Sequence, residues 1–286
     1  MSAEPMLLTR TTPRLAYQVV DAAGKQSNSS PVLLVMGFGM PGKMWEAQLE
    51  GLSPTHRVAC YDHRGIGQSE TLSGVCRIRD LAADARRVLD ELGWDQAHVV
   101  GVSMGGMVAQ ELALAAPERL LSLSLIATHA GGPLGIVPTL QGLKLFARAN
   151  LLPEKDRPKA LVDLLYPPVY RSQVKLELLS DRLQAGLKSR AEPKTLRSQL
   201  FAVVTHDTRR RLDQIRTPTL VVKPEQDLLV RPRHSELLLA RIPGARLLSL
   251  PEAGHGCVFQ CAKRVNAALL EHFASNEPAQ AHAPAL

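Results

Sequence analysis

The chain has 286 residues, and its 34 Lys and Arg against 27 Asp and Glu give a net charge of +7. Apolar residues make up 45% of it, which excludes a disordered chain or a collagen, and four Cys are too few for a disulfide scaffold. The chain contains no run of about 18 apolar residues, so we predict no transmembrane helix. The first residues lack the apolar stretch of a secretory signal, so we expect a cytoplasmic protein without a membrane partner.

Five short apolar runs in the first half of the chain predict buried strands. Each run is continuous rather than alternating, as is typical of strands that are covered on both faces. The runs are residues 15–20, 31–36, 58–61, 97–102 and 121–127. Helical patterns at residues 80–92 and 104–116 separate the later runs, and strands that alternate with helices indicate right-handed crossovers. We therefore predict the α/β class, with a mostly parallel, doubly wound sheet.

The pattern changes after the fifth run. Residues 131–211 have mainly helical periodicity and no clear strand. Buried strands resume at residues 219–223 and 245–250, and a last helix is predicted at residues 263–273. The economical interpretation is a sheet core that a helical segment interrupts.

Positive charge is concentrated in the same segment, where residues 129–216 hold 16 Lys and Arg against 8 Asp and Glu. Such a surplus could attract an anionic substrate. We favour a solvated helical surface instead, because the basic residues are scattered. Only 4% of the residues are aromatic, and there is no zinc-ligand spacing, so we do not expect a nucleic-acid partner.

A candidate nucleophile lies where the fourth predicted strand ends. Gly101-Val102-Ser103-Met104-Gly105 matches G-x-S-x-G, with a strand before it and a small apolar helix after it. A sharp turn from strand to helix exposes the Ser above the sheet at the positive end of the helix, and its neighbours at 101 and 105 must be small. We therefore interpret Ser103 as a nucleophile rather than as a helix cap.

The base and the acid that a Ser nucleophile needs have candidates after the last two strands. His255 lies between Gly254 and Gly256, just after the last strand, and none of the other eight His has a comparable setting. Asp227 follows the strand before, where a carboxylate would orient the imidazole and stabilise the imidazolium. Glu225, two residues earlier, is the alternative acid, and position favours Asp227.

Four motifs resemble those of the α/β-hydrolase family. The motif around Ser103 resembles its nucleophile elbow, and Asp227 and His255 resemble its acid and base loops. Residues 62–69 resemble its D-x-R-G-x-G-x-S turn, and residues 36–39 resemble its H-G-x-G loop. The resemblance covers the chain except the helical segment and the two tails. It implies an α/β-hydrolase core, residues 1–128 and 211–286, with a helical cap, residues 129–210.

The resemblance also assigns further roles around the nucleophile. It implies an oxyanion hole made by the backbone N–H groups of Phe38 and Met104. Met36 stands where the family usually has His, and we expect it to pack as an apolar residue. Asp62 and Arg64 are expected to brace their turn rather than to take part in catalysis. Pro224 stands where the acid loop of the family usually has Gly.

Apolar residues of the predicted cap are candidates for an acyl pocket. Packing of the cap onto the core explains each of them equally well. They are Leu143, Leu145, Phe146, Leu151, Leu164, Leu165 and Tyr166. Cys257 and Cys261 lie beside His255, but no further ligands are near them in the sequence, so we interpret both as buried thiols and expect no metal site.

The implied activity is hydrolysis of a carboxylic ester of a small molecule through an acyl-enzyme, and it needs no cofactor. A lactonase, a C–C bond hydrolase, a thioesterase and a perhydrolase remain alternatives on the same triad. Val102 stands where many C–C bond hydrolases have Asn, which disfavours that activity. A non-catalytic small-molecule receptor is the rival from another class, and an interfacial lipase is a weaker one.

Overall fold

A computed structural model describes residues 6–22, 29–132, 137–187 and 191–278. Eight strands form one sheet with the order β1-β2-β4-β3-β5-β6-β7-β8. The strands are β1 Leu7–Leu8, β2 Ala16–Val20, β3 Val32–Val35, β4 Val58–Tyr61, β5 Ala97–Val102, β6 Leu120–Ile126, β7 Thr219–Pro224 and β8 Arg246–Leu250. β2 pairs antiparallel with β1 and with β4, and all the other pairs are parallel. The predicted mostly parallel sheet is thereby confirmed.

Helices cover both faces of this sheet. They are α1 Glu46–Leu52, α2 Ile78–Glu91, α3 Met104–Ala115, α4 Leu140–Leu151, α5 Arg157–Leu165, α6 Pro168–Gln173, α7 Leu176–Leu187, α8 Pro193–Thr205, α9 Arg233–Arg241, α10 Cys257–Gln260 and α11 Ala262–Ala274. Alternate residues of β3 enter different cores, as strand geometry requires. Leu33 and Val35 pack with α2 and α3, whereas Val32 and Leu34 pack with α1 and α11.

The predicted strands agree with the structure to within one residue at each end. The sequence prediction lacks β1, α1, α9 and α10, of which β1 has two residues and α10 has four, too few for a period to be recognised. The helices α4 to α8 lie between β6 and β7. The division into a core and a cap stays a prediction, and its outer ends, residues 1–5 and 279–286, lie outside the described residues.

The parallel strands determine where the predicted site residues meet. β5, β7 and β8 are parallel members of the sheet, so the residues that follow them lie at its carboxyl edge. Ser103, Asp227 and His255 each follow one of these strands. Within the described part of the chain, none of the helices has the length and apolar character that spanning a bilayer requires.

Candidate active site

Ser103 occupies a strained turn between β5 and α3. Its φ of 55° and ψ of −121° fall in a region that residues with a side chain rarely adopt. Backbone contacts hold it there, since its N–H donates to the Ile126 carbonyl at 2.9 Å and its carbonyl accepts from Thr128 Oγ1 at 2.7 Å. The turn therefore depends on the neighbouring strand β6 as well as on its own sequence.

Two glycines permit this turn. A Cβ on Gly105 would collide with the carbonyl of Val35 in β3, and a Cβ on Gly101 would collide with the backbone of Gly105. The colliding atoms are backbone atoms of a central strand and of a helix, so they cannot move aside as a flexible side chain can. The prediction that positions 101 and 105 must be small is confirmed.

His255 and Asp227 are in direct contact. His255 Nδ1 lies 2.7 Å from Asp227 Oδ2, and the other carboxylate oxygen accepts from the N–H groups of Leu229 and Val230 at 2.8 and 2.9 Å. Asp227 is buried, so its carboxylate has a fixed orientation. Because Nδ1 faces the carboxylate, Nε2 is the ring nitrogen of His255 that remains for a nucleophile.

Glu225 has other partners. Its carboxylate lies 2.9 Å from Lys223 Nζ and accepts from Ser249 Oγ at 2.6 Å. The Lys223 ammonium, followed by Ser249, lowers the pKa of Glu225. Of the two candidate acids, Asp227 is therefore the one that contacts His255. The β7 strand continues through Pro224, and the Glu225 N–H still donates to the Leu250 carbonyl in β8, so the proline leaves the loop attached to the sheet.

The predicted oxyanion loop passes beside Ser103. A Cβ built on Gly37 would lie 3.3 Å from Ser103 Cβ and 3.8 Å from its Oγ. Met36 is buried among apolar side chains, as expected. Met104 is the first residue of α3, and the N–H of a first helical residue has no acceptor within its own helix. Phe38 and Met104 both line the cavity at Ser103.

Two buried side chains that the sequence analysis did not single out hold this loop. His63 Nε2 donates to the Met36 carbonyl at 2.9 Å, and Gln199 Oε1 in α8 accepts from the Gly39 N–H at 2.9 Å. Burial lowers the pKa of His63, so the ring is neutral with its proton on Nε2. The position of His63 inside the motif at residues 62–69 was an available signal, whereas nothing in the sequence pointed to Gln199.

The contacts of Asp62 and Arg64 agree with the bracing role expected of them. Asp62 accepts from the N–H groups of Gly42 and Gln68 at 2.7 and 3.1 Å. Arg64 makes a bidentate contact with Asp84 of α2, with both distances at 2.6 Å. Neither residue lines the cavity described below.

A cavity of about 460 Å³ opens above Ser103 and His255. The wall opposite Ser103 and His255 consists mostly of apolar residues from α4, α5, α7 and α8. The expected pocket residues that line it are Leu143, Phe146, Leu164, Leu165 and Tyr166. The expectation was wrong for Leu145 and Leu151, which are not in its wall, and Leu151 is 85% exposed. These two residues lie on other faces of α4, because one helix presents only part of its circumference to a neighbour.

Three polar side chains of the cavity wall were not predicted. His129 follows β6, and its Nδ1 accepts from the Gly131 N–H at 2.9 Å, so its neutral ring carries the proton on Nε2. Burial, followed by the neighbouring histidines, lowers the pKa of His129 to about 3. Arg157 and Arg182 bring positive charge to the helical side. The interpretation of the basic residues as a solvated surface therefore fails for these two.

Arg182 is held firmly. Its Nη2 donates to the Met44 carbonyl at 2.7 Å, its Nη1 lies 3.5 Å from Glu46, and its guanidinium lies 4.1 Å from the centre of the Phe259 ring. All four cysteines are free thiols and buried, as expected for Cys257 and Cys261. Burial raises the pKa of Cys257, which keeps this neighbour of His255 protonated.

A family model of the alpha/beta hydrolase fold matches residues 30–260, most of the chain. The chain belongs to the α/β-hydrolase family. A RutD protein of Azorhizobium caulinodans, whose name provisionally assigns it as a carbamate hydrolase, is 33% identical to it over 239 residues, 84% of this chain and 87% of that protein.

Solved structures agree with this assignment. A hydrolase from Pseudomonas aeruginosa PA01 is 30% identical, with a TM-score of 0.79, over 95% of this α/β-hydrolase and 99% of that chain. A thermophilic esterase from Thermogutta terrifontis, solved with malate bound, is 25% identical with a TM-score of 0.79, over 96% and 100% of the two chains. The relatives are hydrolases by name, and this α/β-hydrolase is accordingly a hydrolase.

Proposed function

We propose that the protein is a serine hydrolase that cleaves carboxylic esters through an acyl-enzyme. One observation carries this proposal: His255, which contacts the buried Asp227, lines the same cavity as Ser103. Nucleophile, base and orienting acid are the three groups that acyl transfer requires. A receptor needs none of them in this arrangement.

In the first half of the reaction, Ser103 Oγ attacks the acyl carbon while His255 Nε2 accepts its proton. The backbone N–H groups of Phe38 and Met104 stabilise the oxyanion, and each such donor contributes about 3–4 kcal/mol to lowering the barrier. The imidazolium of His255, stabilised by the Asp227 carboxylate, then donates its proton to the leaving alkoxide. The alcohol departs and leaves an ester on Ser103.

In the second half, water attacks the acyl-enzyme. His255 Nε2 takes a proton from this water, the same two N–H groups hold the second oxyanion, and the proton passes to Ser103 Oγ as the carboxylic acid leaves. His129 lines the same cavity, and because its Nδ1 accepts from the Gly131 N–H, its Nε2–H is the ring donor that can orient a polar group of the substrate.

The wall of the cavity favours an ester with an apolar acyl or alcohol group. Leu, Phe and Met side chains dominate it, and burial of an apolar group stabilises a complex by roughly 25 cal/mol per Å². The esterase from Thermogutta terrifontis is a neighbour with the same architecture. A lactonase, a thioesterase and a perhydrolase use the same attack on an acyl carbon and remain alternatives.

Carbamate hydrolysis is a second candidate, because the RutD relative is 33% identical over most of the chain. The attack of Ser103 would be the same, but the nitrogen lone pair makes a carbamate carbon less electrophilic. A carbamoyl group on Ser103 would also hydrolyse more slowly than an acyl group for that reason. The apolar wall favours the ester over a small polar carbamate.

The decisive experiment compares wild type with Ser103→Ala on matched esters and carbamates that share one leaving group and differ in acyl length. We expect many turnovers of the esters by wild type, and no turnover and no fluorophosphonate labelling in the variant. Ser172→Ala, an exposed serine on α6, is the matched control and should keep both. Labelling that persists in Ser103→Ala would contradict the proposal, and faster turnover of carbamates than of esters would support the second candidate.

A further inference from the structure

A second cluster of chemically active side chains lies at the amino edge of the sheet, away from Ser103. It consists of His56, His98 and Glu277. His98 is the second residue of β5, so about five residues of extended strand, roughly 16 Å, separate it from Ser103. Nothing in the proposed hydrolysis uses this cluster.

Each of the three side chains places one ligand atom in the same small volume. His56 Nε2 lies 3.6 Å and His98 Nε2 lies 3.5 Å from the same oxygen of Glu277, and all three ligand atoms lie within 4.8 Å of one another. Both separations exceed the 2.7–3.2 Å of an ordinary N–H···O hydrogen bond. A tetrahedral zinc ion with bonds of 2.0–2.1 Å holds its ligands about 3.4 Å apart, close to the two distances from the His nitrogens to Glu277.

The remaining atoms of these side chains are fixed in the manner of metal ligands, whose second ring nitrogen is normally bound to another group. His98 Nδ1 lies 2.8 Å from Ser122 Oγ on the adjacent strand, and His56 Nδ1 lies 2.8 Å from Thr55 Oγ1. Glu277 accepts from Ser30 through its N–H and its hydroxyl, the latter at 2.5 Å. Each ligand is thus oriented before any ion binds.

One buried nitrogen of the cluster faces Glu277 at 3.5 Å but lacks a hydrogen bond. His98 is completely buried, and its Nε2 has no hydrogen-bond partner among the described residues. A buried polar atom without a partner costs free energy, and coordination of an ion would remove that cost.

The surroundings allow a fourth ligand. Phe273 stacks on the His98 ring with centroids 4.5 Å apart and closes one side with an apolar surface. Glu277 is the outermost member, with its side chain 27% exposed, so water can reach the vacant coordination position from that side. Two imidazoles and one carboxylate favour a zinc-type transition metal over calcium or magnesium, which take oxygen ligands.

We propose that His56, His98 and Glu277 bind one divalent transition-metal ion, zinc by preference, with water as fourth ligand. The ion would join the end of α11 to the loop before β4 and to the start of β5. Its role is therefore structural, and the hydrolysis at the opposite edge of the sheet does not need it. The ligands are 42 and 179 residues apart in the sequence, which explains why no ligand spacing reveals them.

The test uses the full-length chain, with any purification tag removed and metals stripped by a chelator. Zinc is titrated by calorimetry, and cobalt is added separately because a tetrahedral site gives it visible absorption. We expect one equivalent of zinc to bind and to raise the melting temperature. Glu277→Gln should weaken zinc binding at least tenfold and abolish the cobalt spectrum, with ester hydrolysis unchanged.

Glu271→Gln is the matched control, since Glu271 lies on α11 and pairs with Arg246 outside the cluster. It should bind zinc as wild type does. Glu277 is the most exposed of the three ligands, so its variant should fold, and circular dichroism of the metal-free protein checks this. Absence of stoichiometric zinc binding would overturn the proposal, as would equal binding by Glu277→Gln and wild type.

Discussion

The two walls of the cavity are built differently. The sheet wall, formed by Ser103, His255 and the loop at residues 36–39, is held mainly by backbone atoms, such as the bond from Ser103 N–H to Ile126 and the contact of Gly105 with β3. The helical wall, formed by α4, α5, α7 and α8, meets the cavity mainly through Leu side chains and two arginines. Backbone contacts fix the positions of the residues in the sheet wall, whereas side chains of the helical wall can be substituted without moving the backbone.

Because of this difference, we expect the sheet wall to control turnover and stability, and the helical wall to control the choice of substrate. Changes in the sheet wall should lower turnover or stability for every substrate, because the geometry of the attack depends on it. Changes in the helical wall should mainly alter which substrates bind. Gln199 is an exception, because it belongs to α8 and yet accepts from the Gly39 N–H of the loop at residues 36–39.

The largest effect is expected in the sheet wall at the acid. Asp227→Asn should lower kcat about 10⁴-fold without unfolding the protein, because an amide does not stabilise the imidazolium and favours the wrong tautomer of His255. Steady-state kinetics on one ester measures it. Glu225→Gln is the control and should stay near wild type, since Glu225 contacts Lys223 and Ser249. An equal loss of kcat in both variants would contradict the assignment of Asp227 as the acid.

The next largest effect is expected on stability, from the backbone packing of the turn around Ser103. Gly105→Ala should lower the free energy of unfolding by about 3 kcal/mol, because its Cβ would collide with the Val35 carbonyl and neither backbone can yield. Denaturant unfolding measures the loss. Gly74→Ala meets open space and should cost only about 1 kcal/mol for its φ of 76°. Similar losses in the two variants would show that the close approach at β3 does not matter.

Gln199→Leu tests a side-chain contact between the two walls. Without an acceptor for the Gly39 N–H, the oxyanion loop loosens, and kcat should fall about tenfold, less than the 10²–10³-fold loss on removing a donor itself. KM should change less than about twofold, because the substrate pocket remains. Gln173→Leu, an exposed glutamine of α6, is the control. A rise in KM with unchanged kcat would place Gln199 in substrate binding instead.

The smallest effect is expected in the helical wall. Arg182→Met keeps much of the apolar stem and removes the charge beside the cavity, so KM should rise about tenfold for esters with a carboxylate on the acyl chain. Neutral esters of the same length should change less than about twofold. Arg148→Met, on the exposed face of α4, should alter neither. A uniform change for both ester classes would make Arg182 a packing residue rather than a selective one.

The sequence by itself determined the strands of the sheet except β1, the elbow at Ser103 and the loops that carry Asp227 and His255. These depend on patterns that are local: a run of apolar residues, two glycines around a serine, a histidine between glycines. Parallel strands then bring the residues that follow them to one edge, so the meeting of distant positions could be expected without coordinates.

Only the tertiary structure decided which acid meets His255, that Gln199 and His63 hold the loop at residues 36–39, and that Leu145 and Leu151 are not in the cavity wall. It also brought His56, His98 and Glu277 together from three distant parts of the chain. Local patterns state which residues are buried, but not which buried residues touch. That choice depends on the rotation of each helix against its neighbours and on the path of each loop, which the packing of the whole chain determines.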